Sequence, residues 1–287
     1  SEGQFDVSGI VGETKDGLVV TSTKMTRATE VYLYSFKTKK LTPITTVNDA
    51  KYAQFQDTKV ESRVTKASDG EDLFSWVIYP PDFDPTKKYP TLLFCQGGPQ
   101  SATTQGYSFR WNFQLMASQG YIVILPNRRG MPGWGTKWNK DISKDWGGQA
   151  IRDYISAIDD FKKESYVDND RIGAIGASYG GYSVFMLAGV HEGRFKTFIS
   201  HCGLFNMESW YGTTEELFFA NYDLGGPYWD KANAKTYQDF NPIRHVDKWN
   251  TPILILQGGK DYRVPIGQGQ EAFQAAQANL AALHAEI

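Results

Sequence analysis

The apolar run Arg171-Ile-Gly-Ala-Ile175 passes directly into Gly176-Ala-Ser-Tyr-Gly180, and a segment of helical character follows from Tyr179 to Gly189. A strand that turns straight into a helix crowds the residue at the corner, so its neighbours must be small, and the corner side chain is lifted above the end of the sheet. Gly176, Gly180 and Gly181 supply that room. The five residues match G-x-S-x-G, and the strand before and helix after them separate this match from a glycine-rich turn with an incidental serine. Ser178 is therefore the candidate nucleophile.

The surrounding sequence suits such a corner. From about residue 59 short apolar runs alternate with helical segments. The strand candidates are Phe74 to Tyr79, Thr91 to Cys95, Tyr121 to Leu125, Arg171 to Ile175, Thr197 to Ser200 and Pro252 to Gln257. Several are apolar throughout, as strands covered on both faces should be. Helices are expected over Asn112 to Gln119, over Ile151 to Glu164 with Ile151, Ile155, Ile158 and Phe161 on one stripe, over Tyr179 to Gly189, and from about Ile266 onward. This order predicts an α/β-hydrolase fold, a mostly parallel sheet with helices on both faces, over residues 59–287.

Residues 1–58 read differently. Leu18 to Thr23, Glu30 to Phe36 and Leu41 to Thr45 are short β-rich runs separated by polar turns such as Lys37-Thr-Lys-Lys40, the pattern of an antiparallel sheet. This is one blade-sized unit. It cannot bury both faces of its own sheet, so it either packs on the next domain or belongs to a larger repeat array, and the chain is expected to begin inside a longer protein.

Composition excludes other classes. With 30 Lys and Arg against 32 Asp and Glu, the formal charge of −2 gives no field to gather nucleic acid or an anionic membrane, and neither is expected as a partner. No run approaches the ~20 apolar residues of a membrane span. Cys95 and Cys202 each end an apolar run and read as buried thiols, while His191, His201, His245 and His284 show no ligand spacing with them. No metal and no cofactor is expected.

Acyl transfer from Ser178 needs donors for a developing oxyanion. The Tyr179 N–H at the head of its helix is one candidate. Gln96-Gly97-Gly98-Pro99 follows the Thr91 to Cys95 strand, where this fold brings its second donor, so Gly98 is the other candidate, with Gly97 close behind. Asp261 stands just past the apolar run Pro252 to Gln257, where catalytic groups gather in open α/β sheets, and would orient an imidazole. The fold's chain order is nucleophile, acid, histidine, and only His284 follows Asp261, within an alanine-rich helical stretch.

Seven segments taken together, Gly97-Gly-Pro-Gln100, Arg110-Trp-Asn112, Gln119 to Asn127, Trp146-Gly-Gly148, Gly176 to Tyr182, Thr214-Glu-Glu-Leu217 and Asp261-Tyr-Arg-Val-Pro265, resemble the prolyl-oligopeptidase family of serine peptidases. The likeness is closest to its dipeptidyl-peptidase V and acylaminoacyl-peptidase branch and covers roughly Lys59 to Gln277. It implies a β-propeller joined to the hydrolase domain, with residues 1–58 as the propeller's incomplete end, and the release of dipeptides from the free amino terminus of short peptides. Carried onto matching positions, it implies Ser178 as nucleophile, Asp261 as acid, Tyr179 and Gly98 as oxyanion donors, and Trp210, Tyr211 and Val264 as the lining of an apolar pocket. It also favours a periplasmic or secreted location and makes a homodimer an expectation.

Two positions depart from the family pattern. Gln96 stands where relatives usually carry histidine or tyrosine. After Gln277 the family continues into a strand and a Phe-Pro-x-Glu-Asn-His-like motif that carries the base, whereas ten unrelated residues follow here, so the chain is expected to be a piece of a longer peptidase. Two other readings stand beside the exopeptidase: a catalytically inactive module that keeps the fold, and an esterase built on it.

Overall fold

Two-residue turns at Lys15-Asp16 and Met25-Thr26 join the first three strands of the chain, β1 (Asp6–Thr14), β2 (Gly17–Lys24) and β3 (Arg27–Ser35), and β4 (Leu41–Pro43) completes an antiparallel sheet in the order β1-β2-β3-β4. These elements come from a computed structural model of the chain, which describes residues 5–285, with side chains through Asn279. The strand β1 escapes the sequence pattern because Gly9 and Gly12 interrupt it, and register shifts fall at both, between Val7 and Gly9 and between Ile10 and Gly12.

The sheet belongs to the first of two units, formed by Ser1–Glu61, Val77–Asp84 and Thr103–Val123. Within this unit the Gln105 side chain accepts from the Met25 N–H at 3.2 Å, and the Tyr107 N–H donates to Thr23 Oγ1 at 3.3 Å. The short helices α1 (Asp49–Tyr52) and α2 (Phe113–Ser118) also lie here. Asn112 caps α2 by accepting from the Leu115 N–H at 3.1 Å, which sets the helix one residue inside the expected limits.

The second unit comprises Ser62–Trp76, Pro85–Ala102 and Ile124–Ile287. It carries the body of a seven-stranded sheet made of β5 (Val60–Lys66), β6 (Asp72–Ile78), β7 (Tyr89–Cys95), β8 (Ile122–Pro126), β9 (Val167–Ala177), β10 (Thr197–His201) and β11 (Ile253–Leu256), in the order β11-β10-β9-β7-β8-β6-β5. The expected α/β-hydrolase architecture is present. All five residues of β8 are buried, which is why this strand reads as an uninterrupted apolar run. Strand β5 escapes that reading because Glu61, Arg63, Thr65 and Lys66 give it no such run, and Arg63 is held by Asp160 and Glu164.

The helices of this unit are α3 (Gly135–Lys140), α4 (Gln149–Phe161), α5 (Tyr179–Val190), α6 (Met207–Thr213), α7 (Leu217–Leu224), α8 (Ala234–Gln238) and α9 (Gly267–Ala285). On α4 the buried stripe runs through Ile151, Tyr154, Ile158 and Phe161, and Ile155, expected on it, is half-buried at its edge. Helix α5 is buried from Tyr179 through Gly189, so it shows no amphipathic face; each large side chain it removes from water contributes about 1.5–3 kcal/mol. None of the described helices is long and apolar enough to cross a membrane.

Candidate active site

Parallel pairing brings the candidate residues to one edge of the sheet. Cys95, the last residue of β7, lies opposite Gly176 on β9; Ala177 lies opposite His201 on β10; and His201 lies opposite Leu256, the last residue of β11. The loops that leave these strands carry Gly97 and Gly98, Ser178, and Asp261. Three segments far apart in sequence thus open at the carboxyl end of the same sheet, where open α/β sheets bind ligands.

The corner at Ser178 has the strain that the sequence implies. Ser178 sits at φ 59° and ψ −124°, a conformation that a residue with a side chain rarely adopts. Its N–H donates to the His201 carbonyl at 3.0 Å and its own carbonyl accepts from the Tyr182 N–H at 2.9 Å, so neighbouring backbone holds the strained residue on both sides. A Cβ added at Gly180 would run into the carbonyl oxygen of Cys95, which explains why glycine is needed there. The Ser178 hydroxyl is half-buried and has no hydrogen-bond partner among the described residues.

Two N–H groups beside it are also uncommitted: neither Tyr179 nor Gly98 donates its backbone N–H to an acceptor among the described residues. Gly98 has φ +123°, and a Cβ there would stand 2.6 Å from the Gln100 nitrogen. Gly97 passes so close that its own added Cβ would lie 3.5 Å from the Ser178 Cβ. The Gln96 amide donates to Ser101 Oγ at 3.2 Å, so that side chain is engaged within its own loop. Gln100 donates to Asp223 Oδ1 at 3.0 Å, and the other oxygen of this fully buried carboxylate accepts from the Trp146 indole at 2.5 Å. Burial pushes the Asp223 pKa up, against the two hydrogen bonds that hold it down.

Asp261 lies in the loop after β11. One of its carboxylate oxygens accepts from the N–H groups of Arg263 at 3.0 Å and Val264 at 2.9 Å, a turn that fixes the carboxylate and leaves the second oxygen to a further partner. Trp210 on α6 donates its indole N–H to the Arg263 carbonyl at 2.8 Å, tying this loop to the helix.

A cavity of about 320 Å³ lies over the corner, lined by Gly98, Ser178 and Tyr179, by the apolar side chains of Trp146, Leu204, Trp210, Phe219 and Val264, and by the charged pair Glu216 and Arg263. Ser178, Tyr179, Gly98, Trp210 and Val264 are therefore brought together. Tyr211 is not among the lining residues: it is buried against Tyr228, Trp229 and Tyr237, and its hydroxyl donates to Asn221 at 2.7 Å. Asp261 does not line the cavity either, although Arg263 and Val264 of its loop do.

The model of the prolyl oligopeptidase family matches residues 107–285. The chain belongs to the prolyl oligopeptidase family. Among curated relatives, dipeptidyl-peptidase 5 of Porphyromonas endodontalis is 49% identical over 280 residues, covering 96% of this chain and 40% of the relative. Dipeptidyl-peptidase 5 of Porphyromonas gingivalis is 51% identical over 250 residues, covering 86% of this chain and 36% of that protein. The chain thus spans well under half the length of these relatives. Among solved structures, an acylaminoacyl peptidase in complex with Z-Gly-Gly-Phe-chloromethyl ketone superposes with a TM-score of 0.86 at 24% identity, over 96% of this chain and 43% of that one. At that identity the likeness speaks for the fold.

Within the family frame, the sequence reading left five lining residues without a role: Trp146, Leu204, Glu216, Phe219 and Arg263. Trp146, Glu216 and Arg263 stand inside segments that carry the family likeness, and that was the available signal; Leu204 and Phe219 carried none. Of the histidines whose side chains are described, none lines the cavity. His191 is buried, accepts from the Phe195 N–H at 3.2 Å and has its pKa lowered mainly by burial. His245 pairs with the Asp239 carbonyl at 2.8 Å, and His201 ends β10. The side chain of His284, on α9, lies outside the described residues. Neither Cys95 nor Cys202 is in a disulfide; Cys95 is fully buried, with its pKa raised by burial, and Cys202 is half-buried.

Proposed function

We propose that this chain is the hydrolase portion of a serine exopeptidase that releases dipeptides from the free amino terminus of short peptides. The observation that carries the proposal is the strained Ser178, with an unpartnered hydroxyl, opening into a cavity beside two unpartnered N–H groups. Its hydroxyl attacks the scissile carbonyl, the Tyr179 and Gly98 N–H groups stabilise the oxyanion, and the amine leaves to give an acyl-enzyme that water then opens. Asp261 orients the histidine that takes the serine proton; in the family's order that histidine follows the acid. Trp146, Leu204, Trp210, Phe219 and Val264 receive an apolar side chain of the residue before the scissile bond.

The test is fluorophosphonate labelling of the full-length polypeptide with a Ser178→Ala control, followed by turnover of dipeptidyl amides against simple esters. Labelling that vanishes in the variant, with amide turnover, supports the reading. Labelling with ester turnover alone makes this an esterase, and no labelling at all makes it a module that keeps the fold without the chemistry.

A further inference from the structure

Arg128 and Arg129 follow β8 in immediate succession and meet very different surroundings. Arg129 is paired conventionally: two of its nitrogens reach the Asp69 carboxylate at 2.5 and 2.7 Å, and its Nε lies 3.4 Å from Asp153. The Arg128 side chain is fully buried, yet among the described residues no carboxylate stands within ion-pair distance of it. A guanidinium cannot shed its charge by losing a proton, so a fold that buries one without a directly paired carboxylate must surround it with oriented dipoles.

Those dipoles come largely from the glycine loop. Nη2 donates to the Gln96 carbonyl at 3.0 Å and Nη1 to the Pro99 carbonyl at 2.8 Å, one on each side of Gly97-Gly98. Nη1 also reaches the Arg129 carbonyl at 2.8 Å, and Nε the Tyr154 hydroxyl at 3.2 Å. The guanidinium carbon stands 4.5 Å from the ring centroid of Tyr179, the residue that supplies the other N–H. One buried cation therefore touches both segments that offer donors to the cavity.

We infer that Arg128 is the positioning residue of the oxyanion site, holding the Gly97-Gly98 loop and Tyr179 in register around the carbonyl that Ser178 attacks; this rests on the function proposed above. Peptide groups are planar, so holding the Gln96 and Pro99 carbonyls fixes the Gln96–Gly97 and Pro99–Gln100 peptide planes, which bracket the short stretch that carries the Gly98 N–H. The charge sits in a dry interior, where it favours a nearby oxyanion more than it would in water. An oxyanion exists only after attack, so the benefit falls on the transition state and not on substrate binding.

The experiment measures fluorophosphonate labelling rates and steady-state hydrolysis of a dipeptidyl amide on the full-length polypeptide, with rates expressed per titrated active site, for wild type, Arg128→Met and Arg128→Lys. Met removes the charge and the hydrogen bonds at similar length. Lys keeps the charge but cannot grip two carbonyls with a planar fork. The expected result is a labelling rate and kcat ten- to a hundredfold lower for Met at KM within about twofold, with Lys intermediate. A folded Met variant that matches wild type overturns the inference, as does a loss that disappears when rates are divided by titrated sites. Should Met fail to fold, Lys decides: a three- to tenfold slower rate at unchanged KM supports the inference, and wild-type rates overturn it. Failure of the wild type itself to label at Ser178 sinks the proposed function and this inference together, whereas a labelled wild type with an indifferent Arg128 sinks the inference alone.

Discussion

The two sides of the candidate site are built to different standards. On the nucleophile side, β7, β9 and α5 form a dense interior in which Leu93 and Cys95 have no exposure, and Ser178 is held in a strained conformation by backbone on either side. On the acid side, β11 is the end strand of the sheet order, Leu256 is 43% exposed, and Tyr262 and Ile266 of the following loop are exposed as well. The two residues are also held in different ways. A strained serine persists only where the surroundings over-determine it, while Asp261 is fixed by two N–H groups of its own loop and requires little support from the core. The site therefore combines one globally held residue with one locally held residue.

The largest effect that sharpens this contrast is expected from Asp261→Asn. The asparagine oxygen can still accept from the Arg263 and Val264 N–H groups, so stability should change by less than ~0.5 kcal/mol. Turnover should nonetheless fall by about 10⁴-fold, the order lost when a triad acid becomes an amide, equivalent to about 5.5 kcal/mol on the barrier. Kinetics on the full-length polypeptide beside a urea titration would check both halves. A variant that unfolds early would show the acid to be part of the global scaffold, and the comparison would break.

Next in size is a pair of leucine truncations. Leu93→Ala opens a cavity in the interior of β7 and should cost about 2–5 kcal/mol, whereas Leu256→Ala, at a position exposed on β11 in this 287-residue chain, should cost that chain less than about 1 kcal/mol. Midpoints of urea unfolding at an unchanged m-value would measure the difference. Equal losses would mean that β11 is packed as tightly as β7, contrary to the exposure of Leu254 and Leu256.

The same division decides what could be read in the sequence. The nucleophile side was legible because steric demands leave marks in residue type: small residues at Gly176, Gly180 and Gly181 around Ser178, and the glycines after β7. Asp261 was legible because it follows an apolar strand. The cavity walls were less so. Leu204 and Phe219 come from segments with no distinguishing pattern, and Tyr211, one residue from Trp210 on α6, is drawn into an aromatic cluster instead of the cavity. Neighbours on a helix point about 100° apart, and only the packing of α6 decides which of the two reaches the cavity. Arg128 was equally opaque, since nothing in Asn127-Arg-Arg-Gly130 distinguishes the arginine paired with carboxylates from the one paired with carbonyls.

The smallest expected effect concerns the two buried tryptophans that wall the cavity, whose ring centroids stand 6.1 Å apart. Trp146 donates to the fully buried Asp223 carboxylate, and Trp210 donates to the Arg263 carbonyl, which also accepts from Thr214 Oγ1 at 2.9 Å. Phenylalanine at either position loses similar volume, so the cavity terms largely cancel and the difference between the variants isolates the lost hydrogen bond. Trp210→Phe leaves its acceptor with a second donor, whereas Trp146→Phe leaves a buried carboxylate oxygen with none, so Trp146→Phe should be the less stable by about 1–3 kcal/mol at neutral pH. The sign of the pH dependence follows from Asp223. Its folded pKa is raised, so the folded state binds the proton more tightly than the unfolded state, and stability rises as pH falls through the folded pKa. Removing the indole donor raises that pKa further, because the charged form loses a partner. The gap between the two variants should therefore narrow on acidification, as protonation removes the charge that Trp146 had been solvating. A gap that stayed constant from neutral to acidic pH would locate the difference in packing, and the nucleophile side would then owe its stiffness at this wall to shape and not to the buried carboxylate.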